Sequence, residues 1–305
     1  AGLPSETDAW PQRNSGMAQI TDDRCDPGNM LATILARFGR PREGPWDLLI
    51  GVEATIITVL SVYLIRGLNV REAGLFAVML ASAAMIPKFN TILAINRERI
   101  LAEQGSGRRA NAKSIISGLS VFVGMFLGFL VVGILTNDTT LEEHFQFILQ
   151  EAQIDADIVL SPERFSLGPS IFVHNLMVMI AFAALAFLYR SLGAMIALGW
   201  NASVWAITLV LFVGSGSQMD VHPVTYALLV IVAIIPHLLL EAAAYITGSL
   251  SAIFLSRGVT RHKVSDPRLK RVLVAVLVLA SLSVGLLAVG AVLEHYYAPA
   301  ILELI

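Results

Sequence analysis

Residues 225–255 read TYALLVIVAIIPHLLLEAAAYITGSLSAIFL. Apart from His237 and Glu241, no side chain in this run can carry a charge at neutral pH. About 20 apolar residues suffice to cross a hydrocarbon core of about 30 Å, because an α-helix rises about 1.5 Å per residue. The run is therefore a membrane span, longer than one straight crossing needs. Working outward, six more apolar runs are found at about 47–65, 74–95, 115–135, 169–188, 192–213 and 269–293. The composition agrees: 56% of the 305 residues are hydrophobic and 14% are charged, against roughly 25% charged in soluble domains. A soluble enzyme, a nucleic-acid binder and a disordered chain are excluded. The expected fold is an all-α, polytopic transmembrane bundle of about seven spans.

The connections set an expected orientation. Residues 96–114 carry Arg97, Arg99, Arg108, Arg109 and Lys113, and residues 256–271 carry Arg257, Arg261, Lys263, Arg268, Lys270 and Arg271. Basic loops face the cytoplasm. Residues 136–168 hold seven carboxylates and one base, Arg164, which places them outside. Arg190 marks another cytoplasmic turn, and alternation puts the N-terminus in and the C-terminus out. The short loop with Arg66 and Arg71 runs against the rule. Residues 1–28 lack the apolar stretch of a signal peptide, so the first span is expected to act as its own insertion signal. The one cysteine, Cys25, excludes an intrachain disulfide.

The chain divides into a cytoplasmic tail with an amphipathic helix (1–46), a two-span extension (47–111) and a five-span core (112–305). Asp26 and Pro27 are expected to open the tail helix at about 29–38. In the outer loop, Thr140 and Glu143 suggest a capping box for a second amphipathic helix at about 140–152. That helix either lies on the bundle or docks a partner.

Candidate chemistry concentrates in span six. Pro236 removes one backbone hydrogen bond and is expected to break the helix. His237 and Glu241, four residues apart, then share one face of the second half-helix. A carboxylate at that depth costs at least about 2.5 kcal/mol and needs a partner. A broken helix carrying polar groups resembles the binding sites of transporters. The plainer alternative is a polar clamp between helices. His174, Asn175 and Asn201 are further polar residues at membrane depth. Lys88 is expected to snorkel to the cytoplasmic end or to pair with Glu241, and Glu53 to be solvated there. Gly124 with Gly128, and Ala244 with Gly248 and Ala252, repeat small residues at the spacing of tight helix contacts. No metal-ligand set, nucleotide-binding loop or nucleophile elbow is present, so no catalytic residue, metal or cofactor is expected.

Spans four to six resemble the stage II sporulation protein M family of integral membrane proteins. SIFVHNLMVMIAFAALAF supplies His174 and Asn175, ALGWNASVWA supplies Asn201 and Ala202, and IIPHLLLEAAAYITGSLSAIFLSRG supplies Pro236, His237, Glu241, Gly248 and Gly258. The resemblance covers roughly 112–293. The chain departs from the family pattern at His174 (for Asn), Ala202 (for Gly) and Leu238 (for Gly). The resemblance implies a prokaryotic cytoplasmic-membrane protein acting as a non-enzymatic subunit or scaffold. Its implied partners are lipids and other membrane proteins, or a second copy, and no nucleic acid. It also gives weight to Asn175, Asn201, Pro236, His237 and Glu241. The alternative from the residues alone is a proton- or ion-coupled transporter or channel using the His237/Glu241 site.

Overall fold

A computed structural model describes residues 46–68, 73–102, 107–146, 168–215 and 221–304. The expected tail helix at 29–38 and the far half of the 140–152 helix lie outside these residues. The described chain is helical: α1 (Trp46–Gly67), α2 (Ala73–Ala102), α3 (Gly107–Ile134), the short α4 (Asp138–His144), α5 (Gly168–Tyr189), α6 (Ser191–Ser215), α7 (Pro223–Arg261) and α8 (Pro267–Val292). A π-helical turn, Leu293–Tyr297, and a last short helix, α9 (Ala298–Leu302), follow without a gap. Seven of these helices are long and apolar enough to cross a membrane. The last candidate span runs on to Leu302, past the expected end near 293.

Two expectations about local structure are corrected. α7 is one helix through Pro236, with no break or re-entrant turn. Proline is tolerated in a membrane helix because neighbouring helices and small local adjustments satisfy the freed backbone groups. α4 is capped by Asn137 and not by Thr140: the Asn137 side chain accepts from the Thr140 N–H at 3.1 Å. Asparagine is at least as good an N-cap as threonine, and here it starts the helix earlier.

Small residues decide how closely the helices approach. A Cβ on Gly124 of α3 would lie 2.1 Å from the Gly51 carbonyl oxygen of α1. A Cβ on Gly128 would lie 2.6 Å from Thr58. The Gly124/Gly128 pair thus serves contact within the chain. The Thr55 hydroxyl is shared between the carbonyls of Gly51 and Gly124, 3.0 Å from each, and the Ser117 hydroxyl reaches Asp47 at 2.5 Å. The stripe of Ala244, Gly248 and Ala252 works the same way on α7. The Ser283 hydroxyl of α8 lies 2.7 Å from the Ala244 carbonyl and 2.6 Å from the Met179 sulfur of α5. Gly248 leaves room for both Ser283 and Met179.

Charged side chains near the α1–α2 ends find local partners. Lys88 of α2 is 9% exposed and bridges to Glu53 of α1 at 2.7 Å. It neither snorkels alone nor reaches Glu241, and Glu53 is not simply solvated. A buried ammonium takes the nearest carboxylate, and that one sits on the adjacent helix. Arg66, the exception to the charge rule, donates to the Thr136 hydroxyl at 3.1 Å and lies 6.0 Å from the centre of the Tyr63 ring. Its charge has a structural use at this end of the bundle. Burial, and then Arg66, hold the His144 imidazole below its ordinary pKa.

Between α5 and α6 the chain turns on a single residue. Arg190 takes φ 54, the left-handed region, at a cost of roughly 1 kcal/mol for a non-glycine residue. Gly193 makes the turn feasible, since a Cβ there would lie 2.2 Å from the Leu185 carbonyl oxygen.

Gly124→Ala is expected to lower stability by about 1–3 kcal/mol, because the clash is with backbone that cannot swing aside. Gly285→Ala, where a Cβ meets nothing within 4 Å, is expected to leave the thermal midpoint of the detergent-purified protein in place. Equal midpoints for the two variants would contradict the packing described.

Candidate functional site

The polar site is built on α7 and closed by its neighbours. Glu241 is 2% exposed, about midway along the helix. The amide nitrogen of Asn175, on α5, donates to Glu241 Oε1 at 2.5 Å. The indole of Trp205, on α6, also hydrogen-bonds the carboxylate. One turn beyond Glu241, the Tyr245 hydroxyl donates to Asn175 Oδ1 at 3.4 Å. The Tyr245 ring is fixed edge-on against Phe182, with centroids 5.5 Å apart. Asn175 therefore uses both ends of its amide: one satisfies the carboxylate and the other fixes the amide's own orientation. Three helices meet at one buried oxygen pair.

A second carboxylate shares the niche. Glu294 is buried, and its charge acts on Glu241. Its Oε2 has no hydrogen-bond partner. Among the described residues no lysine or arginine acts on Glu241. Glu294 belongs to the π-helical turn, where the Ala298 N–H bonds to the Leu293 carbonyl five residues back. Pro299, two residues after that turn, has no N–H to give the His295 carbonyl, which explains why the backbone opens just before it. π-turns are rare and often mark functional sites.

His237 is fully buried, one turn before Glu241. Its ring stands edge-on to Trp205, with centroids 5.5 Å apart. The ring faces the Ala233 carbonyl one turn back without reaching hydrogen-bond geometry. It packs against the side chain that grips Glu241 and makes no direct bond to the carboxylate.

The other expected site residues are dispersed. Pro236 lies in α7 beside His237 and leaves the helix continuous. Asn201 is buried on α6, but its amide donates to the Ala197 carbonyl of its own helix at 3.3 Å. His174 is exposed on α5. Adjacent helical residues point about 100° apart, so with Asn175 turned inward His174 turns away. Lys88 belongs to the Glu53 pair already described. Trp205, Tyr245 and Glu294 were missing from the expected set. Glu294 had a signal: it continues the inward row Ser283, Leu287 and Gly290, all buried, at helical spacing.

Beside the niche, the first turns of α5 and the end of α8 line an open cleft of about 430 Å³. Pro169, Phe172, Ala291 and Val292 give it apolar walls, and His295 adds a polar edge.

The family model for Stage II sporulation protein M matches residues 117–299, more than half of the chain. The chain belongs to the stage II sporulation protein M family. No curated protein and no solved structure matches it. The family match runs from within α3 through α8 and the π-helical turn, and so contains Asn175, Trp205, Tyr245 and Glu294. Helices α1 and α2 lie outside it, yet both pack into the same bundle, α1 on α3 and α2 on α6.

Asn175→Ala is expected to lower stability by about 1 kcal/mol, a typical membrane hydrogen bond, or more where the carboxylate is left short of a donor. Glu294→Leu is expected to raise the thermal midpoint, because an unpaired buried oxygen and a like charge leave together. A lowered midpoint for Glu294→Leu would mean that Glu294 has a stabilising partner.

Proposed function

We propose that this stage II sporulation protein M family member is a non-enzymatic subunit or scaffold of a membrane protein complex. We place it in the prokaryotic cytoplasmic membrane, N-terminus in and C-terminus out, from the distribution of its basic loops. The observation that carries the reading is on the outer face of α8. Ser281 and Gly285 are exposed one turn apart, and a Cβ on Gly285 would meet nothing within 4 Å. The small residues of α3 and α7 are used up inside the chain. On α8, Ser283 and Gly290 face inward, whereas Ser281 and Gly285 face outward at the spacing by which membrane helices associate. The partner is another membrane protein or a second copy of the chain.

Intact-complex mass after gentle purification from native membranes tests this. The wild type is expected to run as a stoichiometric complex, and Gly285→Leu as the lone chain with unchanged helical content by circular dichroism. A lone wild-type chain would overturn the proposal.

The pairing of Glu241 with Glu294 favours a second reading, a proton- or ion-coupled transporter or channel. Two buried carboxylates close enough for one charge to act on the other form a place for a proton or a small cation. In reconstituted vesicles Glu241→Gln is then expected to abolish flux. No flux from the wild type, or full flux from the variant, would sink this reading.

A further inference from the structure

At the end of the bundle opposite the Asn175 turn of α5, five arginines surround one pocket of about 530 Å³. Arg97 comes from α2, Arg257 and Arg261 from the last turns of α7, and Arg268 and Arg271 from the first turns of α8. The positive charges of Arg261, Arg190 and Arg97 all act on Arg257. Among the described residues, no carboxylate lies within ion-pair distance of any of the five arginines. Among the described residues the nearby acid Asp266 is engaged elsewhere. It caps α8 through the Arg268 N–H at 2.8 Å and pairs with His262 at 3.2 Å, although its charge is felt by Arg268.

Guanidinium groups repel one another, and three helices bring these together with no acid among the described residues in ion-pair contact with them. The fold therefore leaves an anion-shaped deficit. Planar guanidinium forks match the oxygens of a phosphate better than any other side chain does. The remaining wall narrows the choice of anion. Leu93, Phe254 and Val272 line the same pocket, and Arg257 and Arg261 end a candidate membrane span. The ligand that suits this wall carries phosphate charge on an apolar body and arrives from the bilayer.

We infer that this pocket binds the phosphate headgroup of an anionic phospholipid. The guanidiniums of α2, α7 and α8 take the phosphate, and the Leu93, Phe254 and Val272 side takes the adjoining apolar part of the lipid. Basic pockets between membrane helices bind such headgroups on general electrostatic grounds. The site shares no residue with the Glu241 niche, so it stands or falls independently of the proposed function.

The test is native mass spectrometry of the full chain in mild detergent. Phosphatidylglycerol and phosphatidylcholine of matched acyl chains are supplied in equal amounts. Wild type is expected to retain phosphatidylglycerol over phosphatidylcholine by about tenfold or more. R257Q/R261Q is expected to lose that preference. R268Q/R271Q, on the other helix, is expected to lose it too and covers a folding failure of the first variant. K263Q/K270Q removes two charges that do not line the pocket, and is expected to keep the preference. Inorganic phosphate at millimolar concentration is expected not to displace the lipid. Equal retention of both lipids, an undiminished preference in both arginine variants, or an equal loss in K263Q/K270Q would overturn the inference. Displacement by inorganic phosphate would also overturn it and assign the pocket to a soluble phosphate ester.

Discussion

Pro236 has no N–H to offer the carbonyl of Val232, yet α7 runs unbroken from Pro223 to Arg261. That continuity is the constraint on which the bundle depends. α3, α5, α6, α8 and α9 all pack against α7. Had the helix broken at Pro236, Tyr226 and Val230 above it and Tyr245 and Gly248 below would no longer share one axis. The seats of α9, α5 and α8 would then be set independently. In water a mid-helix proline costs about 3 kcal/mol or more. In hydrocarbon the alternatives are worse, because an unwound turn exposes several unpaired backbone groups.

On that axis the polar and apolar contacts divide the labour. Gly248 and Ala244 let α8 and α5 come close enough to α7 for one α8 serine hydroxyl to touch both α7 and α5. Glu241 then supplies what apolar packing lacks, a specific rotational setting. Methyl groups tolerate a helix turned by a few degrees, whereas a carboxylate held at 2.5 Å by an amide does not. Interhelical hydrogen bonds of this kind contribute little net energy on average. Their value here lies in selecting one arrangement of α5, α6 and α7. The Lys88–Glu53 pair plays the matching part between α1 and α2.

Hydropathy and charge were enough to read all seven spans, because a bilayer demands long uninterrupted apolar helices and little else. The closeness of α1 and α3 was legible in Gly124 and Gly128 for the same reason: only small residues let backbones touch. Glu241 and Asn175 also stood out as costly polar groups. Their partners did not. Trp205 and Tyr245 are unremarkable aromatic residues until folding brings them to the carboxylate. Glu294 fell one residue beyond the expected end of span seven, where a π-turn carries the span further. His174 was misplaced because neighbours in sequence point to different faces of a helix. The partner of Lys88 was missed because Glu53 looked solvated from its position alone. The proline break failed for a physical reason: rules calibrated in water overstate how readily a membrane helix gives way.

The one-residue turn at Arg190 carries a mechanical consequence. α5 and α6 meet there with no slack, and Gly193 brings their backbones into contact. The donors that hold Glu241 are divided between these two helices, Asn175 on α5 and Trp205 on α6. The two arms thus close on Glu241 from one turn, and a change at Arg190 or Gly193 reaches both donors at once.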